Sequence, residues 1–263
     1  MKNWMFENSS YLKKVNTSLM FALLFLMSGA QLRANAYVDL SQTFLERLQS
    51  GTSADDIAAQ YEQFTIEELE GGLNERSEKL AFWINTYNAF IIYTLQKDPS
   101  LFEDRGKFFT QPRLRIAGHD FSFDNIEHDI IRNLRVKWGL GYLQKWFVAD
   151  HLRKLRVKKR EPRIHFALNC GANSCPPVAI YDDEALETQL TKGTQQYLES
   201  VTTAENNTVT TTPLFSWFRG DFSGKRGIKK MLLHYGLIES KEGVELKFGP
   251  YDWTLNIDNF KDL

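Results

Sequence analysis

One stretch of the chain, from Leu80 to Leu95, constrains the fold more than any other. It is apolar at 12 of its 16 positions, and the apolar residues do not keep to one side of a helix. A helix that is apolar on every side must be buried on every side. Residues 75–96 are therefore predicted to form a central helix with the rest of the core around it. The 263 residues are 43% hydrophobic and 13% aromatic, which supplies such a core and excludes a disordered or collagen-like chain.

The first 36 residues are predicted to be an export signal. Lys13 and Lys14 precede nine apolar residues from Leu19 to Met27, and the sequence Ala-Asn-Ala ends at Ala36. A charged region, a short apolar region and an A-x-A site are typical of a cleaved signal peptide, and nine residues are too few to cross a bilayer, which needs about 20. We therefore expect the mature chain to be periplasmic or extracellular, without a stable membrane span. An uncleaved N-terminal anchor is the alternative.

The remaining residues, 37–263, are predicted to form a single α+β domain. Its N-terminal part is rich in helices, and the buried central helix packs on a small, mostly antiparallel sheet, since strands and helices do not alternate regularly. Residues 202–212 are expected to form a mobile loop that leads into an edge strand. Four residues are predicted to cap helix N-termini: Ser53, Thr65, Asp124 and Asp182. The predicted elements are helices at 40–48, 53–64, 65–73, 75–96, 123–133, 182–200 and 223–235, a hairpin at 113–123, and strands at 163–168, 208–212 and 244–248.

Charge and motifs narrow the class of partner. The mature chain carries 28 basic and 32 acidic residues, so it has no overall field to attract nucleic acid, and no nucleic-acid partner is predicted. The run from Arg153 to Arg163 holds seven basic residues, which suits a phosphate-rich ligand or a membrane surface, although a solvated surface loop is the preferred interpretation. No nucleotide-binding glycine motif is present, so no cofactor is expected. A small molecule or a peptide is the class of ligand considered, and the oligomeric state is left open.

Asn85 and Asn88 interrupt the apolar central helix, three residues apart and on one side of it. A buried amide without hydrogen bonds costs about 1–3 kcal/mol, so each asparagine needs a polar partner. The preferred interpretation is that both hold an adjacent backbone loop. The alternative is that they orient a substrate or a catalytic side chain.

A second polar group lies on the helix predicted after the hairpin. Ile126 and Ile130 mark the core side of this helix, and Glu127, His128 and Arg132 lie beside or across from it. An acid next to a histidine, with a cation one turn further on, suits a proton-transfer site. A solvated helical face is the commoner explanation of such a cluster.

The densest concentration of reactive residue types lies between Arg163 and Pro177. His165 is predicted on a strand that leads into a loop with Cys170 and Cys175, the two cysteines of the chain. In an exported protein such a pair forms a disulfide by default. A thiol enzyme instead needs a cysteine, a base and oxyanion donors, and these residue types are all present. A zinc site needs three or four ligands, which the two cysteines and one or two histidines just reach.

Five sequence blocks occur in a specific order: FWINTYNAF (82–90), FDNIEHDIIR (123–132), RIHFALNCGANSCPP (163–177), LFSWFRGDF (214–222) and YDWTLN (251–256). In this order they resemble the DUF547 family, a domain of unknown function found in exported bacterial proteins and at the C-terminus of plant leucine-zipper proteins. The resemblance covers about residues 75–256 and implies a shared fold rather than an activity. The family positions present in this chain are Trp83, Asn85, Tyr87, Asn88, Glu127, His128, Arg132, His165, Cys170, Gly171, Ser174, Cys175, Pro176, Asp221, Asp252 and Trp253.

The CGANSCP segment also resembles, more faintly, the CGSCW stretch of papain-like proteases, in which the second cysteine is the nucleophile. Here the spacing is one residue longer and Pro176 stands where those proteases have tryptophan. The histidine also comes earlier, since His165 precedes both cysteines, whereas in papain-like chains it follows them.

The residues support three functions of different classes. The first is a thiol-dependent hydrolase or acyl transferase acting on amide or peptide substrates, in which Cys175 attacks and His165 or His128 is the base. The second is a non-catalytic binding module stiffened by a Cys170–Cys175 disulfide. The third is a metal-assisted hydrolase that uses both histidines and a carboxylate. In the first, the carboxylate that orients the imidazole is one of three: Glu127, Asp221 or Asp252.

Cys170 and Cys175 are expected to differ in reactivity. Pro176 biases Cys175 toward an extended backbone, which projects its side chain from the loop, whereas Cys170 directly follows the predicted strand. Cys175 is therefore predicted to be the exposed, reactive thiol, and Cys170 to be structural or resolving. A nearby His165 or Arg132 would lower the pKa of the Cys175 thiol.

Overall fold

A computed structural model describes residues 36–263 of the chain, so the predicted signal peptide lies outside the described residues except for its last position. Within the described part, no helix is both long enough and apolar enough to cross a membrane. The N-terminal half is helical, as predicted. It contains α1 (36–49), α2 (Asp55–Gln63), α3 (Ile66–Gly72) and α4 (Arg76–Lys97).

Helix α4 is the predicted central helix. Every residue from Leu80 to Ile92 is buried, whichever side of the helix it occupies. Aromatic rings surround it: Tyr61 of α2 lies 5.8 Å from Phe82 between ring centroids. Because full burial of one large apolar side chain contributes about 1.5–3 kcal/mol, this helix supplies much of the stability of the core.

Two helix starts show which capping predictions hold. Thr65 caps α3 as predicted, since its Oγ1 accepts a hydrogen bond from the Glu68 amide (3.2 Å) and the Glu68 carboxylate accepts one from the Thr65 amide (2.9 Å). Ser53 does not cap α2, which begins at Asp55; its hydroxyl donates to the Asp55 carboxylate instead (3.3 Å). A hydroxyl held by a carboxylate leaves the first amides of α2 without a side-chain cap.

A short connection and a hairpin follow α4. The connection holds a 3-10 turn (Pro99–Asp104) and α5 (Arg105–Thr110). The predicted hairpin is confirmed as β1 (Leu114–Ile116) paired antiparallel with β2 (His119–Phe121). Its two turn residues, at positions 117 and 118, both have positive φ angles (50° and 73°), as a tight two-residue hairpin turn requires.

The helix predicted after the hairpin is wound as a π-helix over Asn125–Ile131. Asp124 does not cap it. Ser122 does, by accepting a hydrogen bond from the Asn125 amide (3.1 Å), while the Asn125 side chain accepts one from the Ser122 amide (3.0 Å). Helix α6 (Asp150–Leu155) follows after a long excursion of the chain.

The strand predicted at 163–168 is absent, and a 3-10 helix (Pro162–Phe166) takes its place. Proline has the right φ for the first turn of a helix, and the Glu161 carboxylate accepts a hydrogen bond from the Arg163 amide (3.2 Å). The backbone therefore bonds locally rather than to a neighbouring strand. As a result, side chains at 164–169 are all buried and do not alternate, and His165 is only 4% exposed.

The C-terminal third completes an α+β fold, which confirms the predicted class. The residues predicted to be a mobile loop form a hairpin instead, turning at Asn206 and Asn207 with φ angles of 47° and 62°. Strand β4 (Thr208–Thr211) is the middle strand of the resulting sheet, antiparallel to β3 (Thr203–Glu205) and parallel to β5 (Glu245–Phe248), and this sheet is separate from the first hairpin. Asp182 caps the turn that leads into α7 by accepting hydrogen bonds from two backbone amides. The elements are α7 (Leu186–Val201), β3 (Thr203–Glu205), β4 (Thr208–Thr211), α8 (Leu214–Trp217), α9 (Gly224–His234) and β5 (Glu245–Phe248).

Candidate active site

A cavity of about 390 Å³ lies where α4, the π-helix, the cysteine loop and the C-terminal segments meet. Most of its wall is aromatic or aliphatic, with a few polar groups facing inward, which is the composition of a small-molecule site. The residues that line it include Tyr87, Arg105, Phe109, Asp124, Glu127, His128, Lys137, His165, Cys170, Trp217, Phe218, Tyr251 and Trp253.

The π-helix presents two residues of the second predicted polar group, Glu127 and His128, to this cavity. His128 is 3% exposed and Arg132 is 2% exposed, so the interpretation as a solvated helical face is wrong. The wider π-helical winding is visible in the hydrogen bond from the Arg132 amide to the Glu127 carbonyl (2.9 Å), which spans five residues rather than four. Such single-turn π-bulges occur frequently at functional sites.

Four side chains form a continuous buried network beside the cavity. Arg132 Nη1 donates to His128 Nδ1 (2.8 Å), and Arg132 Nε donates to Asp221 Oδ2 (2.7 Å). The same Asp221 oxygen accepts a hydrogen bond from His165 Nε2 (2.9 Å). Burial alone would raise the pKa of Asp221, but the bond from His165 and the charge of Arg132 outweigh burial and hold that pKa below its usual value. Asp221 is therefore the carboxylate that orients the His165 imidazole.

His128 is neutral, and its tautomer follows from its contacts. Burial and the neighbouring Arg132 guanidinium hold the pKa of His128 well below the usual value for histidine. Because the guanidinium donates to Nδ1, that nitrogen carries no proton and Nε2 carries one. Nε2 lies 3.7 Å from Asp124 Oδ1. His128 thus offers the cavity a neutral N–H donor.

Glu127 has a pKa that suits acid–base catalysis. Burial raises its pKa to about 7, although the positive charge of Arg132 opposes the shift. Its Oε1 lies 3.3 Å from His128 Nδ1, and its Oε2 accepts a hydrogen bond from the Tyr87 hydroxyl at 3.5 Å. A carboxyl with a pKa near neutrality can accept and return a proton under physiological conditions.

His165 is buried and rigid. Its ring stacks on Phe218 at 3.9 Å between centroids, and burial lowers its pKa to about 4 against the opposing effect of Asp221. The guanidinium of Arg132 also lies over the Phe218 ring, 4.5 Å from its centre. Phe218 therefore fixes the planes of both groups.

Asn85 and Asn88 do not line the cavity; both hold backbone segments, as the preferred interpretation predicts. Asn85 donates to the Tyr181 carbonyl (2.8 Å) and accepts from the Tyr181 amide (2.9 Å). Asn88 donates to the Ala167 carbonyl (2.9 Å) and accepts from the Asn169 amide (2.8 Å). The two hydrogen bonds of Asn88 hold the segment between His165 and Cys170 in place, so Asn88 is a positioning residue.

Cys170 and Cys175 are joined in a disulfide, with their Cα atoms 6.1 Å apart, and no other cysteine exists in the chain. The predicted difference in exposure is wrong: Cys175 is 3% exposed, whereas Cys170 is half-buried and lines the cavity. The loop folds back so that the Cys170 amide points at Cys175 Sγ (3.0 Å), and this contact buries the second sulfur. The Tyr251 hydroxyl lies close to both sulfurs, 3.2 Å from that of Cys175 and 3.4 Å from that of Cys170.

Two further predictions from the sequence concern Asp252 as an orienting carboxylate and a metal site. Asp252 is exposed and bonds the Asn173 side chain (2.8 Å), so it does not orient either histidine. Across residues 36–263, no three His, Cys, Asp or Glu side chains are grouped so as to hold a metal ion. The metal-assisted alternative therefore lacks a ligand set in this part of the chain.

Several wall residues were not among the candidate site residues predicted from the sequence. Trp217 and Trp253 stack at 5.7 Å between centroids, and Arg105 lies over the Trp253 ring at 5.0 Å. The two tryptophans belong to the blocks at 214–222 and 251–256, so their aromatic density was a signal for the site. For Arg105 no signal was available, because it lies outside the five blocks.

Comparison with known proteins agrees with the resemblance. Residues 72–198 match the family model described as "Protein of unknown function, DUF547". No curated protein and no solved structure matches the chain. The matched region contains α4, the π-helix and the disulfide, whereas Asp221 and the two stacked tryptophans lie beyond its end. Residues 72–198 of the chain therefore match the DUF547 family, whose function is unknown.

Proposed function

We propose that the protein is a hydrolase or acyl transferase that acts on amide- or peptide-type substrates by acid–base catalysis. The observation that carries the proposal is Glu127, a carboxyl with a pKa of about 7 that lines the cavity and lies 3.3 Å from Nδ1 of His128, whose other ring nitrogen, Nε2, carries the proton. A titratable base and a neutral hydrogen-bond donor are the two groups that addition to a carbonyl requires.

The proposed reaction begins with the ionised form of Glu127. Its carboxylate takes a proton from a water molecule, or from an acceptor hydroxyl or amine, while the oxygen or nitrogen of that molecule bonds to the carbonyl carbon. The negative charge that develops on the carbonyl oxygen is stabilised by the Nε2–H of His128. Protonated Glu127 then donates its proton to the leaving nitrogen, the bond to that nitrogen breaks, and the carboxylate is restored.

The rest of the network positions these groups. Arg132 fixes the tautomer of His128 by donating to Nδ1, and Asp221 fixes Arg132. His165 completes the support, because it is held by Asp221 on one side and by Phe218 on its face. The aromatic walls bind apolar substrate groups and exclude water, which strengthens each electrostatic contact inside.

A thiol nucleophile is possible only after the disulfide is reduced, because the bridge leaves neither cysteine as a thiol. In the reduced protein Cys170, rather than Cys175, would face the cavity. Assays with and without dithiothreitol separate the routes: the proposed route through Glu127 needs no reductant. Activity that appears only with reductant and disappears in Cys170→Ala would establish the thiol-dependent enzyme instead.

The test of the proposal uses N-acyl 4-nitroanilides and p-nitrophenyl esters of increasing chain length as substrates. We expect kcat/KM to rise with pH through about 7 as Glu127 ionises, and Glu127→Gln to lower kcat/KM by roughly 10²- to 10⁴-fold. Glu205→Gln is the matched control, since Glu205 is exposed on β3. Hydrolysis that is unaffected by Glu127→Gln would disprove the assignment.

A binding module is the second candidate, and the disulfide favours it. The bridge stiffens the loop that carries Cys170, and the stacked Trp217 and Trp253 rings offer a flat apolar surface. If this function is correct, calorimetry shows that compounds of the same panel bind to the unaltered protein and not to Trp253→Ala, and none of them is turned over.

We also propose that the protein is exported through its N-terminal segment, residues 1–36. Its composition alone supports the proposal: two lysines precede a nine-residue apolar run and an A-x-A site. Mass spectrometry of the protein recovered from the producing cells tests it. A mature N-terminus at Tyr37 is expected, and an intact, cytoplasmic chain would contradict export.

A further inference from the structure

Exposed apolar side chains are concentrated in one loop. Six of the seven large hydrophobic residues exposed within 36–263 lie in ten consecutive positions, 138–147. Phe147 is 98% exposed, Trp146 81% and Trp138 78%. Soluble proteins expose such residues singly, so a cluster marks a surface that contacts another phase or partner. We call residues 134–149 the aromatic loop; its exposed apolar members are Trp138, Leu140, Tyr142, Leu143, Trp146 and Phe147.

The aromatic loop is a folded structure that is firmly attached to the protein. The Val136 amide donates to the Leu143 carbonyl (3.0 Å), and the Lys145 amide donates to the Leu134 carbonyl (2.7 Å). The middle of the loop is bonded to the body of the protein, because the Gly220 amide donates to the Leu140 carbonyl (2.6 Å). The backbone is thus hydrogen-bonded while the aromatic side chains face solvent. Their exposure is a fixed feature of this loop.

A basic segment, residues 153–160, adjoins the aromatic loop. Arg153 donates from Nη2 to the Trp146 carbonyl (3.3 Å), and the Asn133 side chain donates to the Lys158 carbonyl (2.7 Å). Four cations of this segment are exposed: Arg153, Lys158, Lys159 and Arg160. Because residues 37–263 are net acidic, these exposed cations are a local concentration of positive charge.

We propose that the aromatic loop and the basic segment together bind the surface of a bilayer that contains anionic phospholipids. Tryptophan and tyrosine favour the membrane–water interface, where the ring is buried and its polar atom stays hydrated. Lysine and arginine beside them gain from the negative surface potential of anionic lipids. The association is peripheral, with Trp138, Trp146 and Phe147 inserted among the headgroups. The proposed membrane binding does not depend on the proposed catalytic function.

The surface lies beside the candidate site. Lys137 lines the cavity and directly precedes Trp138, and the aromatic loop packs against Gly220 next to Asp221. A bilayer bound at this loop would therefore lie next to the cavity.

The test uses the full chain and two kinds of vesicle, pure phosphatidylcholine and a 3:1 mixture of phosphatidylcholine with phosphatidylglycerol. All variants keep residues 1–36, so that binding by that segment is common to them. Flotation measures the bound fraction, and acyl-chain-brominated phosphatidylcholine reports insertion by quenching tryptophan fluorescence. Residues 1–36 contain Trp4, so the loop's contribution is the difference between proteins: we expect quenching to be weaker in Trp138→Phe/Trp146→Phe than in the unaltered protein, which identifies the inserted residues.

The expected losses of vesicle binding distinguish the contribution of the apolar side chains from that of the basic ones. Trp146→Ser/Phe147→Ser should reduce partitioning into both kinds of vesicle by about tenfold or more. Lys158→Gln/Lys159→Gln should reduce binding to the anionic vesicles by about tenfold at low salt, and this difference should vanish at high salt. Leu233→Ser is the matched control, because within residues 36–263 Leu233 is the one exposed large hydrophobic residue outside the loop, and this variant should bind like the unaltered protein.

Equal binding by all variants, or fluorescence of the loop tryptophans that brominated lipid does not quench, would overturn the proposal. So would a dimer in analytical ultracentrifugation that dissociates in Trp146→Ser/Phe147→Ser while vesicle binding is absent, since the loop would then be an interface between two copies. Circular dichroism spectra identical to that of the unaltered protein establish that each variant is folded.

Discussion

The molecule has two buried polar pairs whose members are about one helical turn apart: Asn85 and Asn88 on α4, and His128 and Arg132 at the C-terminal end of the π-helix. The asparagines bond backbone groups of distant segments, and both ends of each amide are used. The second pair bonds other ionisable side chains, and the set continues through Asp221 to His165. Spacing and burial are alike in the two pairs, but their partners are not.

The difference shows what distinguishes a structural polar pair from a chemical one. In the asparagine pair the polar atoms are satisfied by the backbone, so it serves mainly to hold loops. In the other cluster Arg132 Nη2 and Asp221 Oδ1 are buried without a hydrogen-bond partner, and the pKa of Glu127 is strongly shifted. Unused hydrogen-bonding capacity and perturbed pKa values beside a cavity are typical of functional sites.

The largest change in the free energy of unfolding should come from removing Asp221 from the charged network. Asp221→Ala leaves the Arg132 guanidinium and the His165 ring buried without their acid, so it should lower the free energy of unfolding by about 3–5 kcal/mol. Urea denaturation at pH 7 measures this. Asp258→Ala, at an exposed position, should change it by less than about 0.5 kcal/mol. A loss at Asp221 as small as that of the control would mean that the network is not held together by charge.

Replacing Asn85 or Asn88 with alanine sharpens the comparison. The two variants should lose similar amounts of stability but should differ in their effect on the candidate site. Asn88→Ala leaves the Ala167 carbonyl and the Asn169 amide unpaired, and should cost about 3 kcal/mol. Asn85→Ala should cost a similar amount. Only Asn88→Ala should also impair turnover or ligand binding, because it alone releases the segment that carries His165. Equal effects of the two variants on the site would contradict this division.

The smallest effect is a pH dependence of stability from Glu127. Its pKa is about 7 in the folded protein and about 4.5 when unperturbed, so between these values the folded state holds a proton that the unfolded state has lost. The stabilisation by protonated Glu127 is full below pH 4.5 and is lost as pH rises through 7. Between pH 6 and 8, the free energy of unfolding should fall by about 1 kcal/mol more in the unaltered protein than in Glu127→Gln. Parallel pH profiles from urea denaturation would show that the pKa of Glu127 is not raised.

Local signals in the sequence predicted part of the local structure. The N-cap at Thr65 and the hairpin at 113–123 need only neighbouring residues, and both occur where predicted. The 3-10 helix at Pro162–Phe166 was missed because alternating residue types favoured a strand, while the chain found its hydrogen bonds within the segment itself. The exposure of the two cysteines was reversed, because it depends on how the loop between them folds back.

The sequence by itself determined that α4 is buried, that Asn85 and Asn88 need partners inside the protein, and that acid, imidazole and thiol residue types occur in a few short blocks. Each follows from composition and spacing within one segment. Tertiary structure alone decided which of these residues meet. Asp221 bonds Arg132 and His165 across 89 and 56 positions of the chain, and Tyr251 contacts both cysteine sulfurs across about as great a distance in sequence. Spacing within a helix or turn fixes contacts over three or four residues, whereas contacts between distant segments depend on how the whole core packs around α4.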